Sequence, residues 1–172
     1  AETSAVVPCS CRRALRKCNA PLEVCFQFNK WADYAVKRGA GKKLTLDQAL
    51  EANTLAEEAG LVHMQPMMAP GLSVICSCCG DCCALIDPGM AYGTVRNALI
   101  GSRYQPIIDH EQCTGCQECM DRCPFMAIEM RKFPSGKKLK AALLTEKCFG
   151  CGVCAVGCEA EAINMKMVQA PS

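Results

Sequence analysis

The sequence is poor in aromatic residues, with five phenylalanines, three tyrosines and one tryptophan in 172 positions. Large rings normally supply much of a core's buried area, so the 51% hydrophobic content overstates what this chain can pack. Histidine is scarcer still: His63 and His110 are the only two. No nucleophile elbow, dinucleotide fingerprint or Walker spacing occurs, and no carboxylate pair has a supporting context. Catalysis by this chain alone on a small-molecule substrate of its own is therefore not expected. The start "AETSAVVPCSC" has neither a basic region nor an apolar stretch, so no secretory signal is expected. The longest uncharged run, residues 59–80, is interrupted by Pro66 and Pro70, and no membrane span is expected from it. A formal charge of only +2, without a charged recognition stripe, argues against nucleic acid as a partner. The same holds for a winged-helix reading of the residues around "GLVHM".

What the chain has instead is cysteine, seventeen in all. Such density has three explanations: a secreted disulfide scaffold, zinc, or iron-sulfur clusters. The odd total weighs against the first. So does the run "ICSCCGDCC", because neighbours such as Cys78 and Cys79, or Cys82 and Cys83, cannot easily reach disulfide geometry with each other. The thiols are expected as metal thiolates in a reducing, cytoplasmic setting.

The C-terminal part repeats itself. Laying "CTGCQECMDRCPFMAIEM" over "CFGCGVCAVGCEAEAINM" gives a period of 35 residues, with Cys113, Cys116, Cys119 and Cys123 falling on Cys148, Cys151, Cys154 and Cys158. Both runs read C-x2-C-x2-C-x3-C. Ile107 and Ile108, and Leu143 and Leu144, predict short strands leading into each loop, and "AIEMRKFPSGKKLKAAL" predicts a hairpin turning at Pro134-Ser135-Gly136. Lys137, Lys138 and Lys140 give that hairpin a basic edge, either simply solvated or a docking patch for an acidic partner.

Residues 107 to 168 resemble the bacterial-type ferredoxin domain that carries two 4Fe-4S clusters. In that family the fourth cysteine of each run ligates the cluster held mainly by the other run. The resemblance implies one cluster on Cys113, Cys116, Cys119 and Cys158, and another on Cys148, Cys151, Cys154 and Cys123. Pro124 follows Cys123 as the family pattern expects, whereas Glu159 follows Cys158. Zinc also uses paired C-x2-C motifs, but two repeated runs of four with the x3 step fit cubanes better.

Residues 1–104 hold the other nine cysteines: Cys9, Cys11, Cys18, Cys25, Cys76, Cys78, Cys79, Cys82 and Cys83. They suffice for one or two further clusters, of expected type 4Fe-4S, with the ligand set left open and zinc or structural thiols as alternatives. In an extended segment Cys76 and Cys78 would point one way and Cys79 the other. "PLEVCFQFNKWADYAVKRG" predicts one helix from Pro21 to Gly39 with Leu22, Cys25, Phe26, Ala32, Ala35 and Val36 on one face. Thr45 and Gln48 form a capping-box pattern at the head of a second helix closed by Gly60. Together these predict a helical hairpin that gathers the cysteine groups. Met64, Met67 and Met68 form a soft apolar patch. The region resembles cysteine-rich segments fused to ferredoxins in anaerobes.

The expected fold class is α+β: a mainly helical cysteine-rich region, residues 1–104, before a ferredoxin-type pseudo-twofold repeat with short β-hairpins and cluster loops, residues 105–172. The expected function is electron transfer through several 4Fe-4S clusters, as a non-catalytic, electron-delivery subunit of a larger oxidoreductase complex whose other subunits are the redox partners. A free ferredoxin-like carrier and an iron-sulfur redox or oxygen sensor are the alternatives. Each oxidised cluster with its four thiolates is net negative, which makes the holo-protein acidic and lysine-rich partner surfaces suitable.

Overall fold

The computed structural model describes residues 1–66, 71, 73–134 and 138–169. They form two compact units, Ala1–Asp87 and Pro88–Ser172, so residues 88–104 go with the second.

The first unit contains β1 (Ser4–Val7), α1 (Ser10–Leu15), β2 (Cys25–Phe28), α2 (Lys30–Lys37), β3 (Lys42–Lys43), α3 (Leu46–Glu58), β4 (Val62–Met64) and β5 (Val74–Cys78). Its frame is a five-stranded antiparallel sheet in the order β3-β1-β2-β5-β4. This corrects the expectation of a mainly helical region. The single helix expected from Pro21 to Gly39 is a strand followed by a shorter helix, broken at Asn29, whose φ is 53°. Val24, Cys25 and Phe26 are a β-branched and aromatic run, buried between β1 and β5, and this pairing overrides the helical spacing that they also satisfy. Ala32 and Ala35 are buried, whereas Leu22 and Val36 of the expected apolar face are exposed. The sheet, not a helical hairpin, gathers the cysteines.

The second helix forms as its caps predict. The Gln48 amide donates to Thr45 Oγ1 at 3.3 Å and the Thr45 amide to Gln48 Oε1 at 3.1 Å, closing both arms of the capping box. Gly60, at φ 72°, ends α3 in the left-handed conformation, and the Leu61 amide returns to the Ala56 carbonyl at 3.0 Å. Ala56, Leu61 and Val24 then form a small core of their own.

A further helix, α4 (Ile86–Ala91), contains the division between the units. The second unit continues with α5 (Val95–Ala98), β6 (Tyr104–Ile108), α6 (Glu118–Asp121), β7 (Ile128–Lys132), β8 (Leu139–Leu143), α7 (Val153–Val156) and β9 (Ile163–Met167). The strands expected before each cysteine run are present as β6 and β8, and β7 with β8 makes the expected hairpin; Ser135, Gly136 and Lys137 lie outside the described residues. The 35-residue period reappears in the backbone, since β6, α6 and β7 recur 35 residues on as β8, α7 and β9. Positive φ angles recur with it, at Gly115 and Gly150, Gln117 and Gly152, and Met126 and Glu161. Strand pairing runs between the repeats: β6 lies antiparallel to β9 and β7 to β8. Ile128, Ala141, Ala162 and Ile163 pack with Cys113, Cys119 and Cys154 in the core, so thiols occupy places that aromatic rings fill elsewhere.

Among the described residues, no helix is long and apolar enough to cross a membrane.

Candidate metal centres

All seventeen cysteines are free thiols. In the second unit they line two small cavities. Cys113, Cys116, Cys119 and Cys158 line one, with Met130, Ala141 and Ile163 beside them. Cys123, Cys148, Cys151 and Cys154 line the other, against Phe125, Phe149 and Leu143. Each cavity therefore takes three thiols from one run and the fourth from the other. Apolar side chains form most of the walls, although Thr114, Gln117 and Glu118 also line the first cavity, and in the second backbone amides point at sulfur: Gly150 N–H donates to Cys148 Sγ at 3.3 Å and Ala127 N–H to Cys123 Sγ at 3.4 Å.

Such a pocket disfavours thiolates unless a cation enters. Burial, reinforced by the neighbouring cysteines, pushes Cys119 and Cys151 up to about 11 and Cys154 to about 12. Burial raises Cys148 as well, against the pull of the Gly150 amide. Four convergent soft donors, apolar walls and amides aimed at sulfur are the chemistry that an iron-sulfur core needs, and its positive charge would deprotonate these thiols. The donor sets fit the group.

The glycines before the second cysteine of each run are required by the backbone. Gly115 (φ +79°) and Gly150 (φ +66°) sit where a Cβ would lie 2.4 Å from the Leu139 carbonyl oxygen and 1.9 Å from that of Tyr104. Phe149 packs on Phe125 with ring centroids 4.4 Å apart, and the Arg96 guanidinium lies 4.6 Å from the Phe149 ring while donating to the Cys148 carbonyl at 3.1 Å. Lys140, one of the basic-edge lysines, donates to the Cys113 carbonyl. His110 has a structural place, with Nε2 3.2 Å from the Ala141 carbonyl and its ring stacked near Phe133.

In the first unit eight of the nine cysteines fall into two groups. Cys76 and Cys78 share a face of β5. Cys25 interacts with Cys76, Cys76 with Cys78, and Cys78 with Cys83, while Cys9 lies close enough to act on Cys25. In this chain of thiols, Cys25 and Cys78 are pushed up by their sulfur neighbours and by burial, whereas Cys76, flanked by Cys25 and Cys78, is pulled down. A second group gathers Cys18, Cys79 and Cys82 around Asp81. Cys11, half-buried on α1, belongs to neither group.

Between the groups lies Arg12, which sequence reasoning missed. It is buried to 1% exposure, donates to the Pro21 carbonyl and, at 3.0 Å, to the Ser77 carbonyl, and its Nε has no hydrogen-bond partner. Burial favours its neutral form, yet Cys79 above all, with Cys9 and Cys18, holds its pKa above the ordinary value. Within "CRRALRKC" nothing distinguishes Arg12 from its basic neighbours. Asp81 did carry a signal, as the acidic residue inside "CCGDCC". His63 pairs through Nδ1 with Ser77 Oγ at 3.2 Å and faces Glu57 at 3.9 Å, away from the thiols. Met64 lies on β4, and Met67 and Met68 lie outside the described residues.

The second unit thus contains a 4Fe-4S ferredoxin-type domain: residues 112–163 match the 4Fe-4S dicluster domain family. A curated relative points to the same class. A probable iron-sulfur subunit from the Frd operon of Proteus vulgaris is 27% identical over 99 residues, which cover 57% of this chain. The match takes in 56% of that relative, so the chain spans little more than half its length.

Proposed function

We propose that this chain conducts electrons through 4Fe-4S clusters as a non-catalytic subunit of a larger oxidoreductase. One cluster is held by Cys113, Cys116, Cys119 and Cys158, and a second by Cys148, Cys151, Cys154 and Cys123, in a pseudo-twofold ferredoxin domain. A further cluster belongs to the cysteine-rich first unit, on ligands drawn from Cys9, Cys25, Cys76, Cys78 and Cys83. The clusters would supply one-electron redox chemistry, and the chain tunes it through burial, amide donors to sulfur and nearby charge. The observation that carries the reading is the make-up of the two cavities in the second unit, each drawing three thiols from one run and one from the other. The likeness to a Proteus protein described as a probable iron-sulfur subunit favours membership of a complex over a free carrier, with the other subunits as redox partners in the cytoplasm.

Cys158→Ser and Cys123→Ser test it in anaerobically purified full-length chain, read by iron, acid-labile sulfide and the electron paramagnetic resonance of the reduced protein. Cys158→Ser should perturb the centre of the first run, and Cys123→Ser that of the second. Unchanged signals in both variants, or perturbation of the centre in the variant's own run, would overturn the crossed assignment. A chain without reducible iron would end the electron-transfer reading altogether.

A further inference from the structure

We propose that Cys18, Cys79, Cys82 and Asp81 form a mononuclear zinc site, separate in chemistry from the iron-sulfur centres. Their ligand atoms all lie within 4.8 Å of one another. Among the described residues this is the one group of three or more such donors that close, and the thiols lining the two ferredoxin cavities are not so gathered.

The spacing separates the two kinds of metal chemistry. Cys18 Sγ stands 3.8 Å from Cys79 Sγ and 3.7 Å from Cys82 Sγ. Tetrahedral zinc with Zn–S bonds of about 2.3 Å sets its sulfurs on an edge of about 3.8 Å. A cubane binds each thiolate at a different iron corner, which holds the sulfurs well beyond van der Waals contact. These thiols are arranged around one ion.

The fourth position is supplied by Asp81. Its Oδ1 is buried with no hydrogen-bond partner beyond the three thiols gathered around it, surroundings that a cation satisfies. Cys79 and Cys82 also carry the C-x2-C spacing of structural zinc sites, with Cys18 arriving from the loop after α1. Three thiolates and a carboxylate leave zinc with excess negative charge, and the site has compensation at hand. The Arg12 guanidinium acts on Cys79, and the Lys17 ammonium, paired with Asp87 at 2.6 Å, also acts on Cys82 and Asp81. With all four positions filled by protein the site is closed, so its role is structural: it would clamp the loop after α1 to the segment following β5. The thiols of the Cys9 group are thereby left to the iron-sulfur centre.

The test is metal content and X-ray absorption on full-length protein, purified anaerobically from cells supplied with iron and zinc. About one zinc per chain is expected, independent of the iron count, and its absorption edge should fit three sulfurs at about 2.3 Å and one oxygen at about 2.0 Å. Asp81→Asn and Cys79→Ser should lose most of that zinc after challenge with a chelator, while keeping the spectrum of the ferredoxin clusters. Cys76→Ser should retain it. The absence of zinc from the native protein would overturn the assignment, as would a four-sulfur shell from zinc scavenged by a vacated cluster site, or zinc insensitive to Asp81→Asn and Cys79→Ser. The wild-type spectrum decides the matter even if a variant fails to fold. Failure of the ferredoxin reading would instead appear in the iron and sulfide values with zinc unchanged.

Discussion

Gly150→Ala and Gly93→Ala form a matched pair that isolates one steric contact. Both glycines lie in the second unit at nearly the same left-handed backbone angle, φ +66° and +67°. An alanine at either place meets the same backbone penalty, about 1–2 kcal/mol. At Gly93 nothing lies within 4 Å of the added Cβ. At Gly150 it would fall 1.9 Å from the Tyr104 carbonyl oxygen, 3.0 Å from the carbon of that carbonyl and 3.1 Å from Ser102 Cβ. The obstacle is backbone, so it cannot rotate away, and the start of β6 must retreat from the loop. Overpacking of that kind costs about 1–3 kcal/mol more, bringing Gly150→Ala to roughly 2–5 kcal/mol against about 1–2 for Gly93→Ala. In a unit of this size each kcal/mol moves the melting midpoint by about 4–8 °C. The variants should therefore separate by roughly 5–20 °C in anaerobic melts followed by circular dichroism and by the visible absorption of the clusters. The centre proposed for Cys148, Cys151, Cys154 and Cys123 should bleach first, because the displaced loop carries the Gly150 amide that donates to Cys148. Equal midpoints for the two variants would refute the reasoning.

Three other perturbations address the first unit. Thr45→Ala removes the side-chain arm of the capping box on α3 and should lower stability by about 1 kcal/mol in a urea titration, with Thr45→Ser recovering most of it; no change would mean that the cap adds nothing. Burial holds the His63 pKa below its ordinary value, with Glu57 opposing more weakly. The unfolded chain thus takes up the proton first, and the first unit should lose stability as the pH falls through about 6.5. His63→Asn should flatten that dependence between about pH 7.5 and 5.5, and an identical slope would count against it. Arg12→Met strips the donors from the Pro21 and Ser77 carbonyls and removes the cation beside Cys79, so the first unit should lose about 3–5 kcal/mol while the ferredoxin absorption persists. A Met variant as stable as the wild type would show that the buried cation is dispensable.

The two halves of the chain differed in how much their sequence disclosed. In the second unit cysteine spacing and period are local, so β6, β8 and the hairpin could be read directly. The Thr45 cap on α3 was legible for the same reason: a cap is settled within four residues. The first unit depends on distant pairing. Residues 24–28 carry both a helical spacing and a β-forming run, and only β1 and β5 on either side decide between them. Nine thiols in one region do not disclose their partition, because the division follows from which face of β5 each occupies and from where the loop after α1 returns. Arg12 was invisible for a related reason: it is defined by carbonyls nine and sixty-five residues away.

The pairing of β6 with β9 and of β7 with β8 means that neither repeat owns a complete ladder. Each half is a protomer without its mate, and the connection between Lys132 and Leu139 is a tether that turns a bimolecular encounter into an intramolecular one. Its contribution is an effective concentration. Cutting that tether need not abolish the domain; it would make its assembly depend on the amount of each half present, as for any dimer.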